Sequence, residues 1–203
     1  MLKLRTLAPA LLLSAGLATA ANAQSPLPIT LELRGSAAIP TGDFNDGINT
    51  GWGIGGNVRY SFTPVVDVYG GFDHFSFSTD DDGDPGVDVG VDDNAFRAGL
   101  RANVPLVGMT GISPWVEGGL VFARTSISAS DGSSSISINS DWGVGFEAGA
   151  GLSFAVAPRI SINPGVRYRT HKADFSGNDD STDNPGKADV NYVALELGVS
   201  LRP

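Results

Sequence analysis

The chain has no cysteine among its 203 residues. That excludes a disulfide framework, thiolate zinc sites and a lipidated N-terminal cysteine. Basic residues are scarce, 13 Lys and Arg against 22 Asp and Glu, for a net charge of −9. A nucleic-acid binder needs a basic face to release counterions, so no nucleic-acid partner is expected. Long hydrophobic runs are missing too. The one extended apolar stretch is Leu7–Leu17, and nothing after it approaches the roughly 18 apolar residues of a spanning helix. If the chain enters a membrane, helices do not take it there. Glycine is instead abundant, 27 residues, about 13% against an average of roughly 7%. Such a composition suits a soluble β protein, a disordered chain or a membrane barrel, and residue order has to choose.

Residues 1–23 read as a secretory signal. Lys3 and Arg5 form a positive start, Leu7–Leu17 is the apolar core, and Ala21-Asn22-Ala23 fits the small-x-small cleavage pattern. Cleavage there makes residues 24–203 a single mature domain starting at Gln24 and retaining all 22 acids.

The mature chain alternates apolar and polar residues with period two in eight segments, the signal of half-buried strands. Leu31 and Leu33 oppose Glu32 and Arg34; Trp52, Ile54, Val58 and Tyr60 oppose Gly53, Gly55, Asn57 and Arg59. The third segment, 65–78, is less regular, with Val66, Val68 and Phe72 against Asp67, Tyr69 and Asp73. Five more follow, around Phe96–Val104, Val116–Phe122, Trp142–Phe154, Ile160–Tyr168 and Val193–Leu201. Short turns (Thr63-Pro64, Pro105–Ser113, Ala155–Pro158) alternate with longer polar loops (40–50, 79–93, 127–141, 172–189). Segments of about 11 residues match strands that cross a bilayer at a tilt. The expected fold is an all-β, eight-stranded antiparallel up-and-down transmembrane β-barrel, with both chain ends at the periplasmic rim.

The two faces differ in content. Arg124 is the main charge on the apolar face. The other face carries Glu32, Asp67, Asp73, Glu117, Glu147 and Glu196 against Arg34, Arg59, Arg97, Arg101, Arg167 and Arg169. These sum to zero, as a narrow lumen filled by its own side chains requires. The absence of Lys from this face fits bidentate Arg–carboxylate pairing rather than a solvated surface, and the interleaved glycines leave room for long Arg side chains. Trp52, Tyr60, Phe62, Trp142, Phe154 and Tyr168 fall near strand ends on the apolar face, where interfacial girdles belong.

The phrases Ile39-Pro40-Thr41-Gly42-Asp43-Phe44, Tyr60-Ser61-Phe62-Thr63-Pro64 and Pro114-Trp115-Val116-Glu117-Gly118-Gly119, with the signal and the eight segments, resemble the small OmpA/OmpX-type outer membrane protein beta-barrel domain family over the whole mature chain. Gly198, Val199 and Leu201 look like the family's C-terminal insertion signal, although the chain ends in Pro203 where the family usually has an aromatic residue. The resemblance implies an outer-membrane location, contact with membrane lipid, and delivery by periplasmic chaperones to the barrel-assembly machinery. A monomer without a cofactor is expected.

Chemistry-bearing motifs are few. The second long loop holds Asp80, Asp81, Asp82, Asp84, Asp88, Asp92 and Asp93. Asp80, Asp82, Asp84 and Asp88 are candidate ligands for a hard divalent cation, although Pro85 and Val91 break the EF-hand register. The alternative is a solvated, self-repelling loop. The fourth loop adds Asp174, Asp179, Asp180, Asp183 and Asp189. His74 and Ser76 share one strand face near its loop end, as in some outer-membrane lipid deacylases, but Asp73 beside them points the other way. His171 opens the fourth loop with no visible nucleophile. The sequence therefore reads as a non-enzymatic barrel with a structural, adhesion or surface-interaction role carried by its acidic loops. A narrow porin-like channel and a lipid-modifying enzyme using His74 and Ser76 are the alternatives.

Overall fold

Alternation along each strand puts one set of side chains on each side of a wall, and the computed structural model shows which set points where. It describes residues 28–79, 88–104, 106, 108, 110–130, 135–175 and 186–203. Its strands are β1 (Ile29–Pro40), β2 (Gly51–Ser61), β3 (Val66–Ser78), β4 (Asp88–Asn103), β5 (Ile112–Ser130), β6 (Ser135–Asn139), β7 (Gly143–Ala157), β8 (Ile160–Phe175) and β9 (Gly186–Leu201). All pair antiparallel, β1 with β9 and β4 with β5, so eight of them close into a barrel. The ninth, β6, is a short strand that continues the sheet beyond β5.

The register fixes the shape of the barrel. Directly paired residues run from Ile29 through Tyr60, Val68, Leu100, Gly118, Ala148, Tyr168 and Val193, and return to β1 at Ile39. One circuit thus climbs ten positions on β1, from 29 to 39. With eight strands about 4.8 Å apart and about 3.3 Å rise per residue, that stagger tilts the strands by about 40°. The stretch Ile29–Ile39 then spans about 25 Å along the axis, the height of an outer-membrane apolar band.

The distribution of side chains is inverted relative to a soluble protein. Leu33 is 70% exposed and Trp52 56%, and large apolar residues of every barrel strand join them on the outer face. The buried polar and charged group includes six arginines. Exposed apolar surface on this scale marks a lipid contact, and closing the sheet satisfies the backbone that lipid cannot hydrogen-bond. The six girdle aromatics all lie on this outward face, Phe154 being half-buried. At the loop end Trp142 stacks on Phe122, ring centroids 4.9 Å apart, and Trp52 meets His74 edge-on at 6.0 Å.

The structure differs from the sequence reading at the loop end. β4, β5, β8 and β9 run on through residues expected in loops, so Asp88, Asp92 and Asp93 lie in β4, Asp174 in β8 and Asp189 in β9. His171 likewise belongs to β8 rather than to a loop. The reason is backbone pairing: the β4–β5 ladder continues to Asp88–Ser130 and β8–β9 to Phe175–Gly186. Part of the expected third loop is the β5–β6 hairpin sheet. Residues 1–23, with the expected signal, lie outside the described residues.

The face assignment makes a measurable difference among the three tryptophans. Brominated lipid should quench the emission of Trp52 and Trp142, whereas Trp115, 3% exposed and inside the barrel, should be spared. The check is fluorescence of single-tryptophan variants in bilayers.

Candidate functional site: the charged lumen

An ion in a lipid-surrounded barrel must find its countercharge inside. All twelve charges that the alternation assigned to the polar face are buried in the lumen. Eight form one connected knot: Arg34 (β1), Asp73 (β3), Arg97 (β4), Glu117 (β5), Glu147 (β7), Arg167 and Arg169 (β8) and Glu196 (β9). Asp73 meets Arg34 at 2.6 Å and also contacts Arg169. Glu147 takes ion pairs from Arg97 at 3.0 Å, Arg169 at 2.9 Å and Arg167 at 3.3 Å. Arg167 reaches Glu117 at 2.6 Å and Glu196 at 2.8 Å. The network continues toward the short turns through Arg34–Glu32 at 3.5 Å and Arg101–Glu117 at 3.9 Å. There Glu32 accepts from Arg59 at 2.9 Å and from Asn163 at 3.1 Å, with Arg101 at 3.6 Å. Asp67 is buried opposite Arg101 in the β3–β4 ladder, with no ion pair within 4 Å among the described residues; it accepts a hydrogen bond from Asn103 at 2.9 Å.

Glycine makes the room, but not chiefly for arginine. A Cβ on Gly51, Gly53 or Gly55 of β2 would collide with Phe77, Phe75 and Asp73 of the next strand. A Cβ on Gly99 or Gly119 would strike the Tyr69 hydroxyl, which crosses the lumen to donate to Glu147 at 2.8 Å. Arginine faces stack on the rings so admitted, Arg97 over Tyr69 at 4.6 Å and Arg101 over Trp115 at 4.1 Å.

Above the knot the lumen turns apolar. Phe44, Phe75, Phe77, Val91, Val190 and Tyr192 form a buried cluster at the loop end. Phe44 comes from the short 3-10 turn Gly42–Asn45 and packs edge-on against Phe77 at 5.3 Å. Gly42 has φ +60, a left-handed conformation that favours glycine and brings Phe44 over the mouth. A polar relay joins cluster and knot: Arg169 donates to the Tyr192 hydroxyl at 3.1 Å, which donates to Asp93 at 2.9 Å. His171 Nε2 lies 3.2 Å from both Asp93 and the Thr125 hydroxyl. A nucleophile relay needs hydroxyl and carboxylate on opposite ring nitrogens. Here both face Nε2, and all three residues are buried, so the group links strands and does not form a hydrolytic triad.

The other candidate residues separate into described and undescribed. His74 and Ser76 point outward, away from the lumen; His74 Nδ1 bonds to the Asn94 side chain at 3.0 Å, and no hydrogen bond joins it to Ser76. Asp80, Asp82 and Asp84 lie outside the described residues, as does the side chain of Asp88 at the start of β4. Among the described residues no cluster of potential metal ligands occurs. Gly198 faces inward against Glu32 and Arg34, while Val199 and Leu201 face outward. Alternation missed Asp93, His171, Thr125 and Tyr192, whose only signal was their in-phase position on extended strands.

The model of the outer membrane protein beta-barrel domain matches residues 7–202. The chain belongs to that family. It is therefore a protein of the bacterial outer membrane, its outer face in contact with lipid. Solved structures of such barrels share its fold. Neisserial surface protein A is 16% identical, with a TM-score of 0.60, covering 87% of this chain and 97% of that one. OprG from Pseudomonas aeruginosa is 14% identical, with a TM-score of 0.53 and coverages of 88% and 98%. Ail of Yersinia pestis, in complex with the heparin analogue sucrose octasulfate, is 19% identical, with a TM-score of 0.50 and coverages of 86% and 96%. No curated protein matches the sequence.

The knot should be sensitive to loss of a shared carboxylate. Glu147→Ala leaves Arg97, Arg167 and Arg169 with one partner fewer and should cost about 3–5 kcal/mol. Reversible urea unfolding in lipid vesicles measures it.

Proposed function

We propose that this barrel is a non-enzymatic surface-interaction protein that engages another protein through its loop end. The observation that carries this reading is β6. Its five residues are all exposed, and among the described residues it pairs with β5 alone, so its other edge offers unpaired backbone groups. Ile136 and Ile138 stand out from it, 70% and 58% exposed, alternating with Ser135, Ser137 and Asn139. An exposed edge with alternating apolar side chains is a template for an added strand. The extended β4–β5 ladder holds it as a rigid platform. Ail's structure holds a sulfated polyanion. The acid-rich loops and net charge of −9 disfavour such a ligand here, and an extended protein segment suits the edge better.

Biogenesis belongs to the same proposal. Residues 1–23 are the signal, cleaved after Ala23, and the mature chain passes by periplasmic chaperones to the barrel-assembly machinery. Gly198, Val199 and Leu201 supply its insertion signal. The mature barrel acts as a monomer, and Asp80, Asp82, Asp84 and Asp88 serve as a solvated anionic surface or a weak divalent-cation site.

Lysine on an edge strand blocks strand addition. Ile136→Lys/Ile138→Lys should lower adhesion of cells displaying the protein about tenfold at unchanged surface abundance. Undiminished adhesion would remove β6 from the mechanism. For the channel reading, the aromatic cluster and the knot predict no reproducible conductance steps in planar bilayers; regular steps would favour a pore.

A further inference from the structure

Among the described residues the lumen is filled at the loop end by the apolar cluster around Phe44 and Phe77, and hollow at the other end. Below Glu32 a cavity of about 420 Å³ opens between the short turns, on the periplasmic side of such barrels. Its lining holds four arginines, Arg59, Arg101, Arg159 and Arg202, against one carboxylate, Asp67. In a chain of net charge −9 this mouth is locally cationic. Asp67 is engaged by Asn103. Arg59 and Arg101 share Glu32, which Arg34 and Asn163 also contact. Arg59 is 6% exposed and its Nε is buried without a hydrogen-bond partner. Arg159 and Arg202 stand exposed at the rim with no ion pair among the described residues. Six strands each turn a hydroxyl into the walls: Thr30, Ser61, Ser113, Ser153, Ser161 and Ser200.

We propose that this vestibule is a binding site for an oxyanion group, carboxylate or phosphate, carried by a ligand entering from the periplasm. Guanidinium forks and hydroxyl donors around a concave floor are the donor set such oxygens require. The volume lies within the range of small-molecule pockets. Neutralising the knot does not explain the arrangement, because the two rim arginines lie outside it. The site is independent of β6, which sits at the opposite end of the barrel.

Trp115 reports on the floor, since Arg101 stacks on its ring. The full mature protein carrying Trp52→Phe and Trp142→Phe, in uncharged detergent, is titrated with inorganic phosphate and separately with acetate. Chloride holds the ionic strength constant. A saturable change in Trp115 emission is expected with one or both anions. Response to phosphate alone assigns a phosphate ligand, and response to acetate a carboxylate. Arg59→Gln should weaken the half-saturation point about tenfold. Arg159→Gln/Arg202→Gln, which leaves every buried ion pair in place, should weaken it at least threefold. A linear change no larger than chloride's, or the same titration in both variants, would overturn the proposal.

Discussion

The structure depends on one constraint: a charge enclosed by a lipid-facing wall must be neutralised from across the lumen. Unpaired burial of a carboxylate or guanidinium costs several kcal/mol even after relaxation, and the outer face, lined with residues such as Leu33, Leu120 and Val144, offers no escape. Asp73 and Glu147 meet this demand by each engaging at least three arginines from other strands. Arginine suits the task because its planar fork reaches several carboxylates at once. The same interactions fix the cross-section, since every arginine that spans the lumen ties together two walls that the backbone ladder alone leaves free to shift.

Around that centre the two ends have become different. Toward the loops, the pleat positions that carry charge lower down carry Phe75, Phe77 and Val190 instead, and Phe44 is folded in from the first loop to cover them. Toward the turns, the inward positions are mostly hydroxyl-bearing, and the cavity runs from buried Arg59 and Arg101 to the exposed rim arginines Arg159 and Arg202. Among the described residues the loop end thus presents an apolar cluster and the turn end an arginine-lined cavity. A uniformly charged lumen would produce neither.

The sequence revealed most where structure follows a strict period. Glu32, Arg97 and Glu196 sit inside because they alternate with Leu33, Ala98 and Leu197, and the stagger does not alter that rule. It revealed less where the residue type at an inward position changes. Phe75 and Phe77 are in phase with Asp73 but apolar, so the third segment looked irregular although its geometry is regular. The limits of the strands were misread for a related reason. Aspartates such as Asp93 mark loops by composition, yet Asp93 is held in β4 by Tyr192, 99 residues away, and by Thr125 and His171. The inward face shows which charges are enclosed but not which meet, because the pairs are set by the ten-residue stagger of the whole sheet.

The sequence distance across the lumen also governs how the molecule is made and how long it lasts. Glu32 bonds Asn163 across 131 residues, Asp73 reaches Arg169 across 96, and the β1–β9 seam joins the two ends of the barrel. None of these contacts exists in a half-built sheet, where the same arginines are solvated. Topologies dominated by such remote contacts fold slowly. Once the seam closes, opening it exposes several ions together, so departure from the native state is also slow. The finished barrel is held by the height of that barrier as well as by its equilibrium stability, and persists through conditions in which re-forming it would take far longer than keeping it.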